Sequence, residues 1–132
     1  MASSNSNSLL GIYKIATVTG INAKTVATTT LYTVLTGNTL IVTSVIIRVT
    51  AFTAGGKSTQ AGYDFGGNST SFDDFTGGNV TVDTLGDMIM VYPATSSPLV
   101  TYAAATNFSI NITTGSNATT ETWTIDLFGY LI

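Results

Sequence analysis

The chain has 132 residues and a formal net charge of −3 from four basic and seven acidic side chains, enough for one hydrophobic core and too short for two. It contains no cysteine and no histidine, which excludes disulfides, thiolate and imidazole catalysis, and the usual zinc and haem ligand sets. Mean hydropathy is +0.37, yet no apolar run approaches the roughly 18 residues of a membrane helix, and the acidic balance opposes binding to a phosphate backbone. Neither membrane nor nucleic acid is expected as a partner.

The chain opens with a polar low-complexity arm, residues 1–8, containing Ser3, Ser4, Asn5, Ser6, Asn7 and Ser8. It lacks the positive flank and apolar stretch of a secretory signal peptide, so export by that route is not expected. Such an arm either frays or orders on a neighbouring subunit. Residues 9–132 are expected to form a single domain, and its 26 threonines, 12 serines and 9 asparagines, counted over the whole chain, favour a pleated surface over helices.

Tyr13 to Val18 and Val26 to Leu35 read as the first strands, the second with Val26, Thr28, Thr30, Tyr32 and Val34 on one face. Leu35-Thr36-Gly37-Asn38-Thr39 reads as a turn into the longest strand, Leu40 to Phe52. Its odd positions Ile41, Val45, Ile47, Val49 and Ala51 are expected to face the core, with Val42 and Ile46 on the other side. Gly55-Gly56-Lys57-Ser58 ends it. Shorter extended pieces follow at Ala61 to Phe65, Ser71 to Phe75 and Asn79 to Asp83, separated by glycines. Asp87 to Tyr92 is an almost continuous apolar run stopped by Pro93, and Leu99 to Tyr102 is a further short piece. Asn107 to Thr113 alternates, with Phe108, Ile110 and Ile112 inward, and Gly115-Ser116-Asn117 turns into a terminal strand, Thr119 to Ile132. About eight strands with frequent turns predict an all-β fold, an antiparallel jelly-roll-like sandwich, with an immunoglobulin-like sandwich as the alternative.

The terminal strand carries the clearest functional signal. Trp123, Ile125, Leu127 and Leu131 form one apolar face. The other begins as Thr122, Thr124 and Asp126 and then becomes Phe128, Tyr130 and Ile132. An apolar outer face on a sandwich this small marks an interface, and Val42 and Ile46 repeat the signal. Arg48, the single arginine, lies beside Ile46 and either pairs with a carboxylate across that interface or stays solvated. Val42, Ile46, Arg48, Phe128, Tyr130 and Ile132 are therefore the candidate contacts of a homo-oligomer.

The run Thr30 to Thr39, continuing through Val42 to Arg48, resembles a strand-turn-strand unit of small structural proteins of tailed bacteriophages. The ending Trp123 to Ile132 is similar to the closing strand of trimeric jelly rolls of the complement-head and tumour-necrosis-factor type, although their regular mid-chain aromatic positions are missing. The resemblance implies a virion component made in the host cytoplasm: a homotrimeric cement or decoration protein on the capsid surface, bound to the major capsid protein through Ser3 to Ser8. The alternative it implies is a receptor-binding knob of a head or tail fibre that recognises cell-surface glycan.

Chemistry has fewer candidates. Asp64, Asp73, Asp74, Asp83 and Asp87 crowd the glycine-rich segment with Asn68 and Asn79, and oxygen ligands on loops suit calcium, but the ordered acid spacing of a calcium loop is missing. As a glycosidase pair, adjacent Asp73 and Asp74 would point to opposite sides of an extended chain. Tyr63, Phe65, Phe72 and Phe75 either stack a sugar or plug one end of the sandwich. Five Asn-X-Ser/Thr triplets follow from composition alone. The expectation is a non-enzymatic protein without a cofactor or metal.

Overall fold

The computed structural model describes residues 13–54, 59–79, 84–94 and 100–132; the polar arm lies outside them. Their β-branched and aromatic residues form nine strands: β1 (Tyr13–Asn22), β2 (Ala27–Thr33), β3 (Leu40–Thr53), β4 (Gly62–Gly66), β5 (Thr76–Asn79), β6 (Met88–Val91), β7 (Thr101–Tyr102), β8 (Asn107–Thr114) and β9 (Thr120–Leu131). One sheet has the order β1-β9-β3-β6, with β7 also paired to β3; the other has the order β2-β8-β4-β5. All pairings are antiparallel. Leaving β7 aside, successive strands alternate between the sheets except at β4-β5. This is the interleaving of a jelly-roll-like sandwich, and it displaces the immunoglobulin-like alternative.

Where alternation is unbroken, the core follows the expected pattern. Phe108, Ile110 and Ile112 of β8 and Trp123, Ile125 and Leu127 of β9 are buried between the sheets. Phe108 is ringed by Phe65, Phe75 and Tyr102 at centroid distances of 6.5, 5.6 and 5.1 Å. The Trp123 indole N–H donates to Glu121 Oε1 at 2.9 Å, and both residues are buried.

β3 departs from a single alternation. Its pairing with β9 slips between Val42 and Ser44 and again between Val49 and Ala51. Thr43 is the extra residue at the first slip, a bulge that shifts side-chain parity by one. Leu40 and Val42 therefore point inward before it, and Val45, Ile47 and Val49 after it. Val42 is corrected from the outer face to the core, and Ile41 from the core to a half-buried position. Gly129 fits this bulge: a Cβ there would collide with the Ile41 carbonyl and crowd the Val42 backbone.

Two further expectations are revised. β2 slips between Thr30 and Tyr32, so Leu31 is buried while Val26, Thr28 and Thr30 stay exposed. Ser71 to Phe75 belongs to the loop joining β4 to β5, not to a strand.

Candidate interaction surface

The outer face of the first sheet gathers apolar side chains from three strands. In β6, Met88 and Met90 turn away from the core and are 65% and 46% exposed, while Ile89 and Val91 turn toward it. Met90 lies opposite Ile46 and Met88 opposite Arg48. Phe128 of β9 is half-buried beside Ser44 of β3, and Tyr130 lies opposite Ile41. Thr43, Ser44, Ile46, Met90, Tyr92 and Phe128 line an open groove of about 400 Å³. The bulge contributes here too, since Thr43 Oγ1 donates to the Phe128 carbonyl at 3.2 Å.

A charged cluster interrupts this apolar surface. Asp126 accepts hydrogen bonds from Thr17 Oγ1 at 2.6 Å and from Arg48 Nε at 3.0 Å, and Lys14 Nζ stands 3.6 Å from it. The Asp126 side chain is only 7% exposed, against 51% for Lys14 and 37% for Arg48. Burial alone would raise the Asp126 carboxyl, but the hydrogen bonds from Thr17 and Arg48, with the charges of Arg48 and Lys14, hold it below its ordinary value. The face thus presents two cations outward and keeps its carboxylate covered.

Ile46, Arg48, Phe128 and Tyr130 share this face. Val42 does not, and Ile132 lies exposed at the chain end, its backbone paired with Thr39. The carboxylate expected for Arg48 belongs to its own subunit. Met88, Met90 and Tyr92 were not legible as surface, because an almost uninterrupted apolar run hides which side chains face outward.

The outer face of the second sheet has a different fate. Gly66 lies opposite Ser109, and Asp64 opposite Asn111. A Cβ on Gly66 would collide with the Asp74 side chain and crowd the loop backbone from Phe72 to Asp74, so the 67–75 loop folds back over this face. Asn111 Nδ2 donates to the Ser71 carbonyl at 3.4 Å, and Ser109 is fully buried with its hydroxyl unpaired. Inside the loop, Asp73 Oδ1 accepts from Asn68 Nδ2 at 2.8 Å and Ser71 Oγ at 2.6 Å, and these bonds hold its carboxyl below the usual range. Asp74 Oδ1 accepts from the Gly67 amide at 2.8 Å and from the Tyr102 hydroxyl at 3.4 Å. Burial, with Asp74 alongside, pushes the Tyr102 phenol up.

Asp73 and Asp74 are therefore structural partners within the loop, while Asp64 lies in β4 and Asp87 in the turn before β6. Among the described residues no group of three or more acidic side chains converges as a metal site, and Asp83 lies outside them. Of the two readings of the aromatics, Tyr63, Phe65 and Phe75 follow the packing one, buried in the core, and Phe72, half-buried with φ 55°, stays on the loop. No helix among the described residues is long and apolar enough to cross a membrane.

No protein-family model and no curated protein matches the chain. Its fold is similar to that of a chain in the acidic stable capsid structure of Helicobacter pylori bacteriophage KHP30, with a TM-score of 0.55. What the two share is a fold. Sequence identity is 11%, and the likeness spans 92% of this chain and 96% of the phage chain, so the two are of nearly equal length.

Proposed function

We propose that the protein is a non-enzymatic structural component of a virion, a cement or decoration subunit on a phage head, and that it works as a homo-oligomer. The observation that carries this reading is the likeness to a capsid chain over nearly the full length of both. The outer face of the first sheet supplies a surface for subunit contacts through Ile46, Arg48, Phe128 and Tyr130. The arm from Ser3 to Ser8 supplies polar groups that order on the major capsid protein. Trimers are the order the family resemblance implies. The competing receptor-knob reading loses support, because three of its four candidate stacking aromatics are buried.

The test mixes purified protein with particles assembled without it and measures what sediments with them. Full-length protein is expected to bind saturably, and protein lacking Ala2 to Ser8 to bind more weakly while keeping its oligomeric mass. Adsorption to host cells with none to capsids would overturn the assignment.

A further inference from the structure

The two outer faces differ in charge as well as in cover. The first sheet's face carries Lys14 and Arg48, both substantially exposed, against one covered carboxylate, Asp126. The second sheet's face and its 67–75 loop carry Asp64, Asp73 and Asp74, and among the described residues none of these has a lysine or arginine nitrogen within 4.0 Å. The carboxylates crowd one another there: burial and the neighbouring Asp73 both push the Asp64 carboxyl up.

Face-to-face pairing of two first-sheet surfaces would bring the Lys14 and Arg48 clusters of both copies into one interface, and pairing of two loop surfaces would do the same with carboxylates. Both two-fold arrangements set like charge against like, which opposes association. The arrangement that matches charge is head to tail. We infer that a second copy of this chain docks its 67–75 loop and the adjoining outer face of its second sheet onto the Met90, Tyr92 and Phe128 groove of the first, with Asp73 and Asp74 meeting Lys14 and Arg48. This deepens the homo-oligomer reading above and rests on it. Contacts of this kind are heterologous: they close into a ring when the rotation between neighbours divides a full turn, and form filaments when it does not.

The test measures the mass of the full chain by sedimentation across concentrations for wild type, Lys14→Glu, Asp73→Lys and the double reversal. Each single reversal is expected to raise the dissociation constant about tenfold or more, and the double reversal to recover most of that loss. Because Asp73 also anchors the loop, Asp73→Asn, which keeps an acceptor for Asn68 and Ser71, is expected to weaken association less than the lysine does. Circular dichroism and the unfolding midpoint establish that each variant is folded. If Met90→Glu lowers the mass while the charge reversals leave it unchanged, the groove is used but not by this partner surface, and the inference fails alone. A wild-type chain that stays monomeric at every concentration overturns it together with the homo-oligomer reading, leaving capsid attachment to the sedimentation test above.

Discussion

Arg48 and Asp126 meet diagonally across adjacent strands, Arg48 opposite Thr124 and Asp126 opposite Ile46, and the guanidinium Nε–H meets the carboxylate at 3.0 Å on the open face of the sheet. Thr17 on β1 completes the arrangement from the other side. The pair therefore ties three strands together at a position where a lone carboxylate would be only partly hydrated, and its loss would leave Arg48 without this partner.

The Asp126 carboxyl titrates below its unfolded value, so its stabilisation is present above about pH 4 and is lost as pH falls through the folded value. Asp126→Asn is expected to cost about 1.5–3 kcal/mol near neutrality, the range for hydrogen bonds to charged groups. The difference from wild type should shrink on acidification below about pH 4, followed by urea unfolding at stepped pH. A difference constant down to pH 2 would refute the assignment.

Trp123→Ala removes the largest buried side chain and is expected to cost about 3–5 kcal/mol. Trp123→Phe keeps a ring but removes the N–H donated to Glu121, at about 1–3 kcal/mol. Combining Trp123→Phe with Glu121→Gln should cost less than the two single losses together, by about 0.5 kcal/mol or more in a double-mutant cycle.

The legible and illegible parts of the chain divide along physical lines. β8 was readable because nothing breaks its alternation, so Phe108, Ile110 and Ile112 fell where a period of two puts them. Val42 was misplaced because one inserted residue, Thr43, leaves no mark in composition. Glu121 was unreadable as a core residue, since a carboxylate is buried only with a partner and that partner, Trp123, was itself read as plain core. Ser71 to Phe75 looked extended, yet the loop's return over Gly66 depends on contacts with a strand that follows much later in the chain.

Phe128→Ser with Tyr130→Ser is expected to yield smaller species by light scattering with the β-type circular dichroism retained, because both side chains lie on the outer face. Val42→Ser provides the contrast. Its side chain is buried, so it should lower the unfolding midpoint whether or not subunits associate.

Gly129→Ala is expected to destabilise by about 1–3 kcal/mol, because the added methyl meets the Ile41 carbonyl and the strands must separate. Deleting Thr43 in the same background should recover part of that loss if the bulge is what brings the backbones close. A Gly129→Ala protein with an unchanged midpoint would show that β3 yields without cost.

The bulge at Thr43 means that β3 is written in two reading frames. Positions 40 and 42 obey the even frame, positions 45, 47 and 49 the odd one, and the frame changes at a residue whose own side chain is committed to the Phe128 carbonyl. In a collection of natural variants, conservative apolar replacement would therefore be confined to 40, 42, 45, 47 and 49, while 41 and 46 drift freely in polarity unless assembly restrains them. Deleting Thr43 would therefore leave all five inward positions in one plain alternation, whereas a strand that kept Thr43 but straightened its bulge would turn Ile41 inward and Leu40 and Val42 outward, so the inner surface depends on one irregular backbone step and on no other letter of the strand.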